Sequence, residues 1–190
     1  MAIILFLGNP GKQYIKTRHN IGWNICDVIV SDLSESPAWK NKFHAEYCET
    51  FELSSGKSVI CRPQTFMNKS GITTREILNF YKAGGESLIV VHDDLETPFG
   101  TVTFQYGGGL GGHNGLKSLK TELGYSDFFR LKIGIGRPQR QSVSSFVLGR
   151  FSSDEEISLS FILKLSTEML RESVKSFPMA KKKVSKSINL

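Results

Sequence analysis

A single α/β domain, with a twisted mixed β-sheet flanked by helices, is the fold these 190 residues predict. Three observations carry it. "AIILFL" and "SLIVVHDD" are apolar runs that end in turn or charged residues, the mark of strands buried on both faces. Residues 43–53, 101–106 and 129–135 alternate at a period of two, as strands with unequal faces do. Between these stretches lie segments whose apolar residues recur at helical spacing.

The first run, residues 2–7, stops at Gly8-Asn9-Pro10-Gly11, a turn sequence. Ile21, Ile25, Val28, Ile29 and Leu33 then define one face of a helix. Phe43, Ala45, Tyr47, Phe51 and Leu53 share one side of an alternating strand, which Ser54-Ser55-Gly56-Lys57 turns into "SVICRP" as a β-hairpin. "GITTREILNFYKAGG" reads as a helix closed by glycine. After residues 87–94 and 101–106, "NGLKSLKTEL" is a short helix, and residues 129–135 form the last strand. Ser152 and Glu155 have capping-box spacing ahead of a long helix whose face is drawn by Ile157, Phe161, Leu165 and Met169. No linker separates two cores, so the domain is expected to span 1–190. Residues 179–190 are read as a frayed or disordered basic tail, and residues 136–146 as a polar lid.

Composition narrows the functional classes. No run reaches the roughly 18 apolar residues of a membrane span. The three cysteines, Cys26, Cys48 and Cys61, form no C-x-x-C pair and fall in apolar segments. Buried free thiols in a reducing cytoplasm are therefore expected. The net charge of +6 gathers in zones: Lys12, Lys16 and Arg18; six basic residues from Lys117 to Arg140; and five lysines without an acid in the last sixteen residues. Such zones point to a polyanionic partner or to a solvated surface with a loose tail.

"FQYGGGLGGHNGLKSLK" holds six glycines between Gly107 and Gly115, and Gly107, Gly109 and Gly112 match G-x-G-x-x-G. A dinucleotide site wants these glycines after a fully buried strand, with an acid about 20 residues on. Here the preceding strand alternates, and Lys132 stands where the acid belongs. No cofactor is expected. The glycines instead deliver His113 and Asn114 to a helix N-terminus, where backbone N–H groups and Lys117 suit a phosphate.

His19-Asn20, His92-Asp93-Asp94 and His113-Asn114 each stand at a strand-to-loop or glycine turn, where α/β proteins place their sites. His44, on the outward phase of its strand, reads as surface. Two chemistries suit the set. A histidine oriented by an aspartate can act as general base on water, with amides holding a carbonyl. Alternatively, histidines and aspartates can bind a metal that activates the water. No H-x-x-x-H or H-E-x-x-H spacing supports the metal. A third reading is an RNA-binding module without turnover.

Five blocks taken together resemble bacterial-type peptidyl-tRNA hydrolases. They are "LGNPGKQYIKTRHNIGW", "RPQTFMNKSG", "VVHDDLETPFG" with "GGGLGGHNGLKSL", "FFRLKIGIGRP" and, more weakly, "SSFVLGRF". The resemblance implies an esterase that cleaves a peptide from the 3′ ribose of tRNA without metal or cofactor. Residue by residue, it implies that His19 is the general base and that Asp93 orients it. Asn9 would read the blocked α-amino group by accepting its N–H. Tyr14, Phe66, Met67, Asn68, His113 and Asn114 would line the channel for the peptide and the tRNA 3′ end. Lys117, Arg130 and Lys132 would grip acceptor-stem phosphates. The protein is expected to be a cytoplasmic monomer. Two positions depart from the family pattern: Phe6, where a glycine commonly precedes "LGNPG", and Gln105, where many relatives carry a basic residue.

Overall fold

Strand β1 (Ala2–Phe6) is buried along its whole length because both of its faces are covered. The computed structural model describes residues 1–175 and 177–188. Ala2, Ile4 and Phe6 point into one apolar cluster with Ile21, Ile25 and Ile29 of helix α1 (Ile21–Ser31). Ile3, Leu5 and Leu7 point into another, with Ile77 and Leu78 of α2 (Ser70–Tyr81) and Leu116 and Leu119 of α3 (Asn114–Leu123). Phe6 fits this scheme as a fully buried core residue.

The remaining strands are β2 (Lys40–Lys42), β3 (Ala45–Thr50), β4 (Ser58–Pro63), β5 (Leu88–Asp94), β6 (Thr101–Tyr106), β7 (Phe129–Gly134) and β8 (Val184–Ser187). They form one mixed sheet in the order β2-β3-β4-β1-β5-β7-β6-β8. Its centre is parallel, β4 and β5 flanking β1 and β7 adding beside β5. Its edges are antiparallel, β2, β3 and β4 on one side and β7, β6 and β8 on the other. After β1 the chain works to one side through β4, then returns through β5 to the other. Loops at the carboxyl ends of these parallel strands therefore open around a common crevice. Helices α4 (Val143–Val147) and α5 (Ser153–Lys175) complete the chain, with α5 on the α1 face. Among the described residues no helix is long and apolar enough to cross a membrane.

Several elements differ from the sequence expectation. The strand read over 43–53 begins at Ala45, because Phe43 and His44 form a two-residue hairpin turn at φ 61° and 51°. Both hold the left-handed backbone that such tight turns demand. Phe51, past the strand end, is exposed. Helix α2 closes on Lys82 in the left-handed conformation, not on a glycine. The buried stripe of α5 is Ile162, Ser166, Met169, Leu170 and Val174, while Ile157 and Phe161 face solvent. At its first turns the apolar period of the helix does not report burial. Residues 143–146 of the expected lid lie in helix α4, and residues 184–187 of the expected frayed tail pair with β6 as β8. The Ser152–Glu155 capping box is present, Ser152 N–H donating to Glu155 at 2.7 Å.

One glycine decides how the crevice is built. A Cβ on Gly22 would lie 2.5 Å from the Leu7 carbonyl oxygen and 2.9 Å from that of Val91. Only glycine lets α1 start so close to the ends of β1 and β5. Gly22→Ala is expected to cost about 1–3 kcal/mol by overpacking, read as a lowered urea midpoint with an unchanged m-value.

Candidate active site

The crevice is a cleft of about 510 Å³ at the carboxyl edge of the parallel strands. Each parallel strand delivers a part of it. Asn9 follows β1, Met67 and Asn68 follow β4, Asp93 ends β5, and Arg137 follows β7. His19 comes from the turn that opens α1, and His113 and Asn114 from the start of α3.

At its floor Asp93 bridges two imidazoles. His19 Nδ1 lies 2.8 Å and 2.9 Å from the two carboxylate oxygens, and His113 Nε2 lies 3.0 Å from Oδ1. Burial acts to raise the Asp93 pKa, but its contacts with the two histidines outweigh it and hold the carboxyl well below the usual carboxylate range. An ionised carboxylate only accepts, so both imidazoles donate to it. His19 therefore carries its proton on Nδ1 and turns a bare Nε2 to the cleft. His113 is fixed the other way round. Its Nδ1 accepts from the N–H groups of Gly115 and Leu116 at 3.1 Å and 3.4 Å, capping α3, so Nε2 carries the proton. This cap occupies two of the helix N–H groups that were read as suited to a phosphate.

Asn20 seats the turn that carries Asn9. Its Oδ1 accepts from Asn9 N–H and its Nδ2 donates to Asn9 C=O, both at 2.9 Å, as a neighbouring strand would. Asn9 Oδ1 in turn accepts from Met67 N–H at 2.8 Å. A backbone donor on that oxygen fixes the amide orientation, leaving Nδ2 for the cleft. Asn9 thus offers an amide donor there, beside an Oδ1 that has spent one of its two lone pairs on Met67 N–H. Asn68 and Asn114 are both exposed, and neither side chain caps a helix.

Of the residues expected in the site, the cleft brings together Asn9, His19, Met67, Asn68, Asp93, His113 and Asn114. Tyr14 and Phe66 lie outside its lining and meet edge to face at 6.4 Å. Lys117 is exposed, one turn along α3. The two other cations expected to grip phosphates are already engaged. Arg130 is fully buried, donating to the carbonyls of Gly109 at 2.6 Å and of Gly108 and Ser126 at 3.0 Å. It binds the inside of the glycine loop, whose Gly107 and Gly108, at φ 65° and 103°, turn those carbonyls inward. Lys132 Nζ pairs with Asp94 Oδ2 at 2.9 Å. Their alternating strand did not reveal this, because the pairing partners lie on other elements.

The stretch read as a polar lid carries an apolar wall that its composition did not announce: Val143 and Val147 of α4, with Leu148 just after it, line the cleft. Arg18, beside His19, holds that wall in place: its guanidinium lies 4.1 Å from the Phe146 ring centre, donates to Phe146 C=O and pairs with Glu155. The 3–4 spacing of Val143, Phe146 and Val147 was the available signal.

His19, Asp93 and His113 are also the group, among the described residues, whose ligand atoms lie close enough to hold a metal ion, within 4.8 Å of one another. Yet the nitrogens facing Asp93 already donate to it, and the other nitrogen of His113 caps α3. A cation in their midst would have to break this network. The chemistry that suits the arrangement is general-base activation of water, with amide donors at the rim. The three thiols take no part: burial pushes all of them up, Cys48 to about 11.

Comparison with known proteins agrees with this geometry. Residues 3–189 match the family model described as peptidyl-tRNA hydrolase. The chain is 44% identical over 165 residues to a peptidyl-tRNA hydrolase of Aliarcobacter butzleri, covering 86% of this chain and 87% of that one. It is 38% identical over 179 residues to one of Oleidesulfovibrio alaskensis, covering 90% and 88%. The crystal structure of peptidyl-tRNA hydrolase from Acinetobacter baumannii superposes with a TM-score of 0.78 at 30% identity, over 96% of each chain.

Two outcomes are expected from the network. Asn20→Ala leaves the N–H and C=O of buried Asn9 unpaired, at about 1–3 kcal/mol for each group; thermal unfolding and turnover should both suffer. His92 is held well below the usual imidazole range, by burial first and then by its neighbour His113. Below about pH 6.5 the unfolded chain therefore binds a proton that the folded one refuses. Stability present above that pH falls on acidification, by up to about 1.4 kcal/mol per pH unit from this group. Urea titrations over pH 4–7 should show a shallower slope for His92→Gln.

Proposed function

The chain belongs to the peptidyl-tRNA hydrolase family, whose members hydrolyse the ester between a peptide and tRNA, and we propose that it performs this reaction through His19, without metal or cofactor. The observation that carries the proposal is the His19–Asp93 contact, which leaves Nε2 bare in the cleft. Nε2 takes a proton from water as the oxygen attacks the ester carbonyl carbon. The carbonyl becomes a tetrahedral oxyanion. On collapse the bond to the 3′ oxygen breaks, and His19 returns its proton to that leaving group. An ester needs no covalent nucleophile, because the ribose oxygen leaves readily. Asp93 favours the imidazolium formed in between, while His113 holds the same carboxylate from its other side.

The amides divide the remaining work. A donor on the oxyanion is worth about 10²–10³ in rate, and Asn68 or Asn114 can supply it. Asn9 Nδ2 donates to a carbonyl oxygen of the peptide. A blocked amino group brings such a carbonyl, whereas a free ammonium brings only donors and a charge that loses water without a partner. This selects peptidyl-tRNA against aminoacyl-tRNA. Met67 packs beneath the peptide, Tyr14 and Phe66 stack at the rim against the 3′ end, and Lys117 meets acceptor-stem phosphate. Free buried cysteines suit a reducing cytoplasm.

The test is acyl release from N-acetyl-aminoacyl-tRNA and from its unblocked counterpart in EDTA. Cleavage of the blocked substrate alone is expected, with His19→Ala slower by about 10²–10⁴. Loss of wild-type activity in EDTA would assign the reaction to a metal instead. Asn9→Asp keeps the acceptor for Met67 N–H and removes the donor, so kcat/KM for the blocked substrate is expected to fall by about 10-fold or more, as for one lost hydrogen bond of about 1.4 kcal/mol. Unchanged kcat/KM in that variant would return Asn9 to a turn-forming role.

A further inference from the structure

The proposed reaction uses His19 and leaves its neighbour, Arg18, without a part in the chemistry. Arg18 is nevertheless buried, at 7% exposure, and a guanidinium withdrawn from water is costly unless it is well paired. Its Nη2 donates to Glu155 Oε2 at 2.5 Å, and its Nη1 to the carbonyls of Arg150 at 2.5 Å and of Phe146 at 3.4 Å. The centres of the Phe146 and Phe151 rings lie 4.1 Å and 5.2 Å from the guanidinium carbon. The main chain repeats the connection: Arg18 N–H donates to Gly149 C=O at 3.0 Å, and Thr17 bridges to Arg150. Every one of these partners lies within residues 146–155, at least 128 positions along the chain.

That stretch carries the apolar wall of the cleft. Helix α4 has five residues, too few to hold together without outside contacts. Phe146 and Val147 join the core, whereas Val143 and Leu148 line the cleft with 44% and 41% of their surface open. Arg18 engages the C-terminal end of α4, where carbonyls lack helical partners and a cation suits them. Its anionic partner is fixed in turn, since Glu155 Oε2 also accepts from Ser152 N–H in the cap of α5. Adjacent residues thus hold base and wall: His19 is bound to Asp93 at the floor, and Arg18 to the end of α4.

We propose that Arg18 is a positioning residue, which fixes α4 relative to His19 so that Val143, Val147 and Leu148 seat the side chain of the esterified amino acid; the proposal rests on the peptidyl-tRNA hydrolase reading. Arg18 touches neither water nor ester, so its effect is on binding. Loss of the latch releases the wall and leaves the His19–Asp93 pair intact. Apolar contact grows with the area covered, so a leucyl ester feels the wall and a glycyl ester, with no side chain, does not. A residue that only stabilised the fold would lower the active fraction, and hence kcat, equally for both.

The experiment measures kcat and KM for N-acetyl-leucyl and N-acetyl-glycyl esters of one tRNA. Arg18→Met keeps an apolar stem against Phe146 but no donor. In this variant KM for the leucyl ester is expected to rise about 3- to 10-fold, as when apolar contact with about one methylene is lost. The glycyl KM, both kcat values and the pH dependence of kcat should stay as in wild type. Leu148→Ala, on the open part of the wall, should give the same leucyl-selective rise, and the two changes together should give less than their product. Should Arg18→Met not fold, Glu155→Gln keeps an acceptor for Ser152 N–H and should give a smaller rise in the same direction. Unchanged kinetics, equal shifts for both esters, or a fall in kcat alone would overturn the proposal. If wild type cleaves neither ester, the catalytic reading fails, and amide exchange decides the role of Arg18. Arg18→Met should then speed exchange in residues 143–149 and not in α1 or α3, and unchanged exchange would rule out the latch.

Discussion

A single buried carboxylate organises this protein. Asp93 stands at the end of a strand buried on both faces, and an ionised group there is costly unless it is paired. Two imidazoles pair it, and each comes from a different segment. The same contact that offsets the burial also sets both tautomers. His19 is left with a free acceptor facing the cleft, and His113 with one facing its own helix. Catalytic readiness and the capping of α3 are consequences of where one proton sits on each ring.

The surrounding structure serves to bring those segments within reach. Parallel strands β4, β1, β5 and β7 all end at the same edge, so the loops that follow them converge without long excursions. Gly22 lets α1 start against the strand ends, and Asn20 clamps the Asn9 turn through its backbone. On the other flank Arg130 fills the glycine loop from inside, and Arg18 holds α4 as the facing wall. Arg18, Arg130 and Lys132, which looked available for RNA, are consumed in this way. What remains for the substrate near the ester is mostly neutral amide.

The sequence by itself determined the class of fold and most of the site. Two apolar runs required strands covered on both faces, and helical spacing supplied the covers, so the α/β domain followed from local periodicity. The blocks around Asn9, His19, Met67, Asn68, Asp93, His113 and Asn114 identified residues that the cleft does bring together. Only the tertiary structure decided what each polar group is free to do. Arg130 and Lys132 look alike in an alternating strand, but carbonyls of the glycine loop take one and Asp94 takes the other. Met67 N–H turns the Asn9 amide so that it donates, and β6 gives the C-terminal segment an edge to join. In each case the deciding partner is distant in the chain. Local pattern reports how deeply a side chain is buried, and hydrogen bonding between remote segments decides which of its atoms remain to act.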